Sequence, residues 1–162
     1  MKKIISLLML MALFAACKNQ PTDNGVYYVK VVSVVDGDTF HGLTSDGKDV
    51  KFRIYGIDAP EKKQAYGQQS TQHLSNLILN RRVKIKVQTK SDRYGRPVVW
   101  VYTPDGHDVT AEMLRAGMAW HYSKYDSTAE YAELERDARK SRTGLWRDRN
   151  PVAPWNFKSR QR

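Results

Sequence analysis

The 162-residue chain has one cysteine, Cys17. No disulfide can form within it, so the fold must hold through its apolar core alone. The four histidines (His41, His73, His107 and His121) are scattered without ligand spacing. With a lone cysteine beside them there is no cluster to bind zinc, and the histidines carry no assigned role. The longest apolar run, residues 4–16, is broken only by Ser6 and falls short of the roughly 20 residues that span a bilayer as a helix. No internal repeat or low-complexity stretch is present. Acidic side chains are the minority, 17 against 27 lysines and arginines, giving a formal net charge of +10. Such an excess favours polyanions and speeds their capture, but does not separate nucleic acid from an anionic membrane surface.

Lys2 and Lys3 precede the apolar run, so residues 1–17 read as an export signal. Leu13-Phe14-Ala15-Ala16-Cys17 resembles a bacterial lipoprotein box, with Phe14 where leucine is usual. The resemblance implies acylation at Cys17 and a lipid-anchored protein of the cell envelope, or a secreted one if Cys17 is not acylated. Residues 18–25 are polar and turn-rich, as suits a tether. The remaining length makes one domain, expected over 26–148 and able to bury about 68–70% of its unfolded-chain surface. Residues 149–162 form a basic tail containing Lys158, Arg160 and Arg162, expected to be loose.

Within the domain, valine-rich and alternating runs predict strands at 27–35, 39–43, 50–57, 83–87 and 98–102. Asp36-Gly37 and Ser45-Asp46-Gly47 mark turns between them. Leu74, Leu77 and Ile78 predict a helix over 67–79 that Asn80 closes. Asp108 is placed to cap a second helix ending at Gly117. Ser127 and Glu130 form a capping-box pair for a third that runs to Gly144. Five strands with a helix between the third and fourth predict an α+β, mainly β fold: a small closed antiparallel barrel of OB type with three helices. Tyr66, Trp100, Trp120 and Trp146 are expected in the core.

Three carboxylates and two arginines carry the chemistry. Asp38 follows Asp36-Gly37, Asp58 and Glu61 lie in Asp58-Ala59-Pro60-Glu61, Arg53 precedes them in a strand, and Arg96 ends Asp92-Arg93-Tyr94-Gly95-Arg96. Neighbouring barrel strands can join Asp38 to Asp58, and Pro60 biases Ala59 to an extended backbone whose carbonyl can face the same ion. Oxygen donors of this kind suit calcium, with magnesium more demanding. Arg53 shares a side with Tyr55 and Ile57 and needs an acidic or phosphate partner there. Pro97 holds Arg96 extended. Acidic oxygens for a hard cation beside guanidinium groups for phosphate make the chain a candidate for breaking phosphodiester bonds.

These four segments, in this order, resemble the staphylococcal nuclease (thermonuclease) family from about residue 31 to residue 146. The resemblance implies that Asp38, Asp58 and the Ala59 carbonyl ligate Ca2+, with Asp36 in an outer shell. It implies that Glu61 orients or deprotonates the attacking water, and that Arg53 and Arg96 bind the scissile phosphate. Arg93, Tyr94, Tyr122 and Tyr125 become candidate substrate contacts, the two later tyrosines equally open to a packing role. The implied activity is cleavage of DNA and RNA with little sequence specificity, leaving 3′-phosphates. The loop between Glu61 and Tyr66 is several residues shorter than in the founding enzyme. A monomer is expected. The competing reading is a non-catalytic nucleic-acid-binding lipoprotein of the same fold, and keeping all five charged residues argues against it.

Overall fold

A computed structural model describes residues 25–160. The export signal, Cys17 and residues 18–24 of the tether lie outside the described residues. Five strands close a barrel: β1 (Val26–Asp36), β2 (Thr39–Leu43), β3 (Asp49–Ile54), β5 (Arg82–Thr89) and β6 (Val98–Tyr102), in the order β1-β2-β3-β6-β5 with β5 returning to β1. Two-residue strands β4 (Ile57–Asp58) and β7 (Trp120–His121) pair outside it.

The alternation legible in the sequence does the work expected of it. In β5, Val83 and Ile85 point into the barrel while Arg82, Lys84 and Lys86 stay exposed. Inside, Phe40 stacks on Phe52 at 5.3 Å among Val29, Val31, Ile54, Val99 and Val101. The barrel is not wholly antiparallel, as β3 and β6 run parallel. Parity requires this, because strand direction cannot alternate all the way round a closed ring of five.

Helix α1 (Gly67–Ile78) closes one end of the barrel with Leu74 and Ile78 and stops at Asn80, which takes a left-handed φ of 62°. Helix α2 (Val109–Arg115) is capped by Asp108, whose carboxylate accepts the Thr110 N–H at 2.8 Å and also holds the Tyr131 hydroxyl. Helix α3 (Ala129–Lys140) begins one residue later than the expected capping box requires. Its N-cap is Thr128, with no side-chain cap bond. The Thr128 hydroxyl instead donates to Asp126 at 2.7 Å, and Asp126 is itself held by His121 Nε2 at 2.7 Å in a buried pair. That pair gives His121 a structural role that its spacing did not disclose.

Two further expectations are corrected. Trp100 is half-buried on the outer face of the barrel, edge-on to Tyr55 at 4.7 Å and under Lys86 at 5.1 Å, because its position in β6 alternates with the inward Val99 and Val101. The described part of the tail, residues 149–160, is not loose. Pro154, at the first turn, opens a short helix, α4 (Pro154–Ser159), which adds to the three expected helices among the described residues. It docks beside a second apolar cluster of Trp120, Ala138, Leu145, Trp146 and Ala153, with Tyr66 half-buried against it. Arg139 lies over the Trp146 ring at 3.8 Å and Trp120 at 4.5 Å. Among the described residues no helix is long and apolar enough to cross a membrane.

Candidate active site

Two turns deliver the carboxylates. The first joins β1 to β2, after a register shift between Val34 and Asp36 that marks a β-bulge. Gly37 is required there: a Cβ would lie 1.8 Å from Ser70 Oγ and 2.6 Å from Ala59 Cβ. The chain thus presses flat against α1 and the segment after β4. The second turn, Tyr55-Gly56, ends β3 earlier than the expected 50–57 run, with Gly56 at φ +82°. It breaks the alternation that put Arg53 and Ile57 on one side, and brings the Ile57 carbonyl back onto Arg53 Nη2 at 3.0 Å.

Arg53 is the centre of the arrangement. Its Nη1 donates to Asp38 Oδ1 and its Nη2 to Asp58 Oδ1 at 2.9 Å. Both carboxylates are buried, Asp38 at 4% and Asp58 at 2% exposure. Asp38 also accepts the Thr39 hydroxyl at 2.8 Å and the Ala59 N–H at 2.8 Å. Ala59 therefore meets Asp38 through its amide N–H. Asp36 Oδ1 accepts the Asp38 N–H at 3.1 Å, keeping the third carboxylate alongside.

Burial would raise the Asp38 pKa, but the Arg53 charge and the bonds from Ala59, Arg53 and Thr39 outweigh it and hold this carboxyl below its usual range. Asp58 is raised, by burial and then by the Asp38 charge, only partly countered by Arg53 and Lys158. Asp36 is pushed up to about 7, first by burial and then by the Asp38 charge. Burial disfavours the Arg53 cation, yet Asp38 and Asp58 raise its pKa further, so it stays charged. The site therefore holds more negative charge than one guanidinium balances. Its donors are oxygens, the chemistry a hard cation prefers. Among the described residues no three His, Cys, Asp or Glu side chains converge as a ready metal-binding group. The carboxylate oxygens are instead engaged by Arg53 and Lys158.

Arg96 is aimed by Asp92. Its Nε and Nη2 donate to Asp92 Oδ2 at 2.9 and 2.7 Å, while Asp92 Oδ1 accepts the backbone N–H of Tyr94 and Arg96. These bonds hold the Asp92 carboxyl below its usual range although burial opposes them. Arg96 Nη1 reaches Thr39 Oγ1 at 3.3 Å, so Thr39 bridges the second arginine to Asp38. Glu61 is half-exposed, and its Oε1 meets Lys158 Nζ at 2.9 Å; the same ammonium donates to Asp58 Oδ1 at 3.2 Å. Burial opposes the Lys158 charge, but Asp58 and Glu61 raise its pKa.

One cavity of about 1170 Å3 is lined by Asp36, Asp38, Arg53, Asp58, Glu61 and Arg96. Arg93, Tyr94, Tyr122 and Tyr125 line it too. Every described side chain singled out from the sequence thus faces one space, with Ala59 behind it. Tyr94 is 63% exposed between Arg93 at 4.8 Å and Arg96 at 5.2 Å. Tyr122 meets Tyr125 edge-on at 4.9 Å, and its hydroxyl pKa is raised by burial and then by the Asp58 charge. The sequence reading missed four participants: Thr39, Asp92, Trp155 and Lys158. Thr39 and Asp92 stood inside quoted motifs. Trp155 and Lys158 sat in a tail with too few residues to show a helical period.

A sequence profile described as "Staphylococcal nuclease homologue" matches residues 51–148. The chain belongs to this family. It is 42% identical over 132 residues to a protein of Escherichia coli O157:H7 named an uncharacterized endonuclease, covering 82% of this chain and 85% of that one. A Haemophilus influenzae protein of the same description is 35% identical over 159 residues, covering 98% and 85%. A protein of Shigella flexneri named micrococcal nuclease is 35% identical over 139 residues, covering 80% and 79%. The chain is accordingly a nuclease, a hydrolase of phosphodiester bonds, on an α+β OB-type barrel.

The surplus charge has a measurable consequence for this nuclease. Because the folded Asp36 pKa lies above its unfolded value, the folded state keeps a proton between about pH 4 and 7 that the unfolded chain has lost. This group's contribution therefore falls as pH rises through that window. In buffer free of divalent ions, Asp36→Asn should raise stability to urea by about 1–3 kcal/mol at pH 7. The gain should shrink toward pH 4. An unchanged midpoint at pH 7 refutes the charge surplus.

Proposed function

We propose that this nuclease is exported and calcium-dependent, cleaving DNA and RNA with little sequence specificity and leaving 3′-phosphates. The observation carrying the proposal is the sharing of one arginine by two buried carboxylates, with Arg96 joined to them through Thr39. Asp38, Asp58 and the Ala59 carbonyl would hold calcium, with Asp36 beyond direct contact; once bound, it supplies Lewis acidity and a template for the reacting groups.

The chain's own residues account for the rest. Arg53 and Arg96 donate to non-bridging oxygens of the scissile phosphate, where charge grows as the five-coordinate state forms. Their planar forks suit two oxygens at once, which a lysine cannot match. Losing one such donor costs about 2.7–4 kcal/mol of transition-state stabilisation. Glu61 orients the attacking water and takes its proton. As the water oxygen bonds to phosphorus, the bond from phosphorus to the 5′-oxygen breaks and that oxygen takes a proton from solvent, giving a 3′-phosphate and a 5′-hydroxyl. Arg93, Tyr94, Tyr122 and Tyr125 flank the phosphate with cations and aromatic faces. DNA and RNA both present the backbone charge and base faces that these groups engage, which supports broad specificity.

The purified chain should degrade single-stranded DNA and RNA with calcium and stop when a chelator is added; undiminished cleavage in chelator removes the metal from the proposal. Glu61→Gln should lower turnover far more than it weakens DNA binding. Equal losses in both would make Glu61 a binding or structural residue. For localisation, we propose lipid attachment at Cys17 in the cell envelope, supported by the box-like residues before it. Cys17→Ser should then move the protein from membranes to the soluble fraction, and retention on membranes would exclude the anchor.

A further inference from the structure

Helix α4 lies beyond the 51–148 stretch matched to the family, so that likeness assigns its residues nothing. Three of its residues, Trp155, Lys158 and Ser159, nevertheless line the same cavity as the carboxylates and arginines. Trp155 lies parallel to Tyr122, with 6° between the planes and 5.5 Å between centroids, and meets Trp120 edge-on at 5.6 Å. Lys158, three residues on and so on the same helix face, is tied to both Asp58 and Glu61. The helix is thus fixed to the body of the protein through an aromatic contact and an ionic one. Trp155 still keeps 36% of its surface exposed.

A tryptophan held rigid by its neighbours, yet open to a cavity lined with arginines, gains by covering its exposed surface with another flat apolar ring. A second open ring, Tyr94, lies against Arg93 and Arg96 on the same cavity. Open aromatic surfaces that share a cavity with arginines suit a strand whose bases are splayed out. Bases paired within a duplex do not offer their faces. We propose that Trp155 is a base-stacking residue for single-stranded nucleic acid, extending the Tyr122 ring by one further platform. The proposal rests on the nuclease reading of the same cavity and adds to it a residue the family stretch lacks.

The test is binding of the full chain to an oligothymidylate of about 10 nucleotides, inside the usual range of single-strand site sizes, followed by fluorescence anisotropy in chelator. Trp155→Ala should weaken binding roughly 5- to 150-fold, the equivalent of about 1–3 kcal/mol per stacked base. Trp155→Phe, which keeps a ring and the packing on Tyr122, should retain most of the affinity. On an abasic strand of equal length the wild type and Trp155→Ala should bind alike. Unchanged binding of the base-bearing strand by Trp155→Ala overturns the proposal, and so does equal weakening on both strands. Tighter binding overturns it too, by making Trp155 a cover over the cleft. Calcium-dependent cleavage by the wild type is read separately. A wild type that binds but never cleaves refutes the calcium-nuclease reading and leaves the stacking assignment standing.

Discussion

The guanidinium of Arg53 is the contact on which the arrangement of the site depends. It joins Asp38 at the entrance to β2, the Ile57 carbonyl after the Gly56 turn, and Asp58 in β4. Without it two buried carboxylates would repel each other at the mouth of the barrel, and leaving buried charge unpaired is among the most destabilising changes a fold can suffer. Strand register puts it there. Thr39 pairs with Arg53 across β2 and β3, and Arg53 lies opposite Val98 across the parallel β3–β6 pair. The parallel direction that closure of five strands demands draws the chain just before Val98 alongside β3. The Arg53 N–H bonds to the Pro97 carbonyl at 2.9 Å, and Arg96 comes within reach of Thr39. A constraint of barrel topology therefore juxtaposes the two arginines.

The same cluster is poorly balanced as a purely structural feature. Asp38 is stabilised as an anion, while Asp36 and Asp58 are both disfavoured by burial and by its charge. A fold selected for stability alone would gain by neutralising one of them, since buried ionic groups are often replaced by apolar ones at no loss. Titratable groups pushed away from their ordinary behaviour and lining one cavity make this cluster the candidate site for the chemistry. Lys158 relieves part of the imbalance in the free protein, reaching from α4 to two of the acidic groups.

Most of the barrel was legible because its signals are local. Val83 and Ile85 alternate with lysine, Asp108 precedes its helix by one residue, and Asn80 ends another by adopting a positive φ. The charged residues of the site were legible for a different reason: their order along the chain is distinctive even though each motif is common alone. What failed was any feature decided by competition or distance. The Ser127–Glu130 box was a sound local pattern, but the buried Asp126 took the Thr128 hydroxyl and the helix began there. Trp100 read as core by composition, yet alternation in β6 turned it outward. Lys158 meets Asp58 across 100 positions of sequence, and a helix of six residues leaves no periodicity to reveal it.

The tail and the short loop after Glu61 are best understood together. Gly67 at the start of α1 sits so close to the loop that a Cβ would fall 2.0 Å from the Glu61 carbonyl oxygen. Gln64 accepts the Glu61 N–H at 3.2 Å and donates to the Val152 carbonyl at 2.5 Å, just ahead of α4. Glu61 is therefore fixed at its backbone by α1 and Gln64, and at its carboxylate by Lys158. A short loop has little freedom of its own to adjust a carboxylate, so its alignment depends on what packs against it. Here that support comes from the segment carrying α4. The tail thus braces Glu61 and contributes Trp155 to the cavity wall, which makes it part of the site rather than an appendage to the barrel.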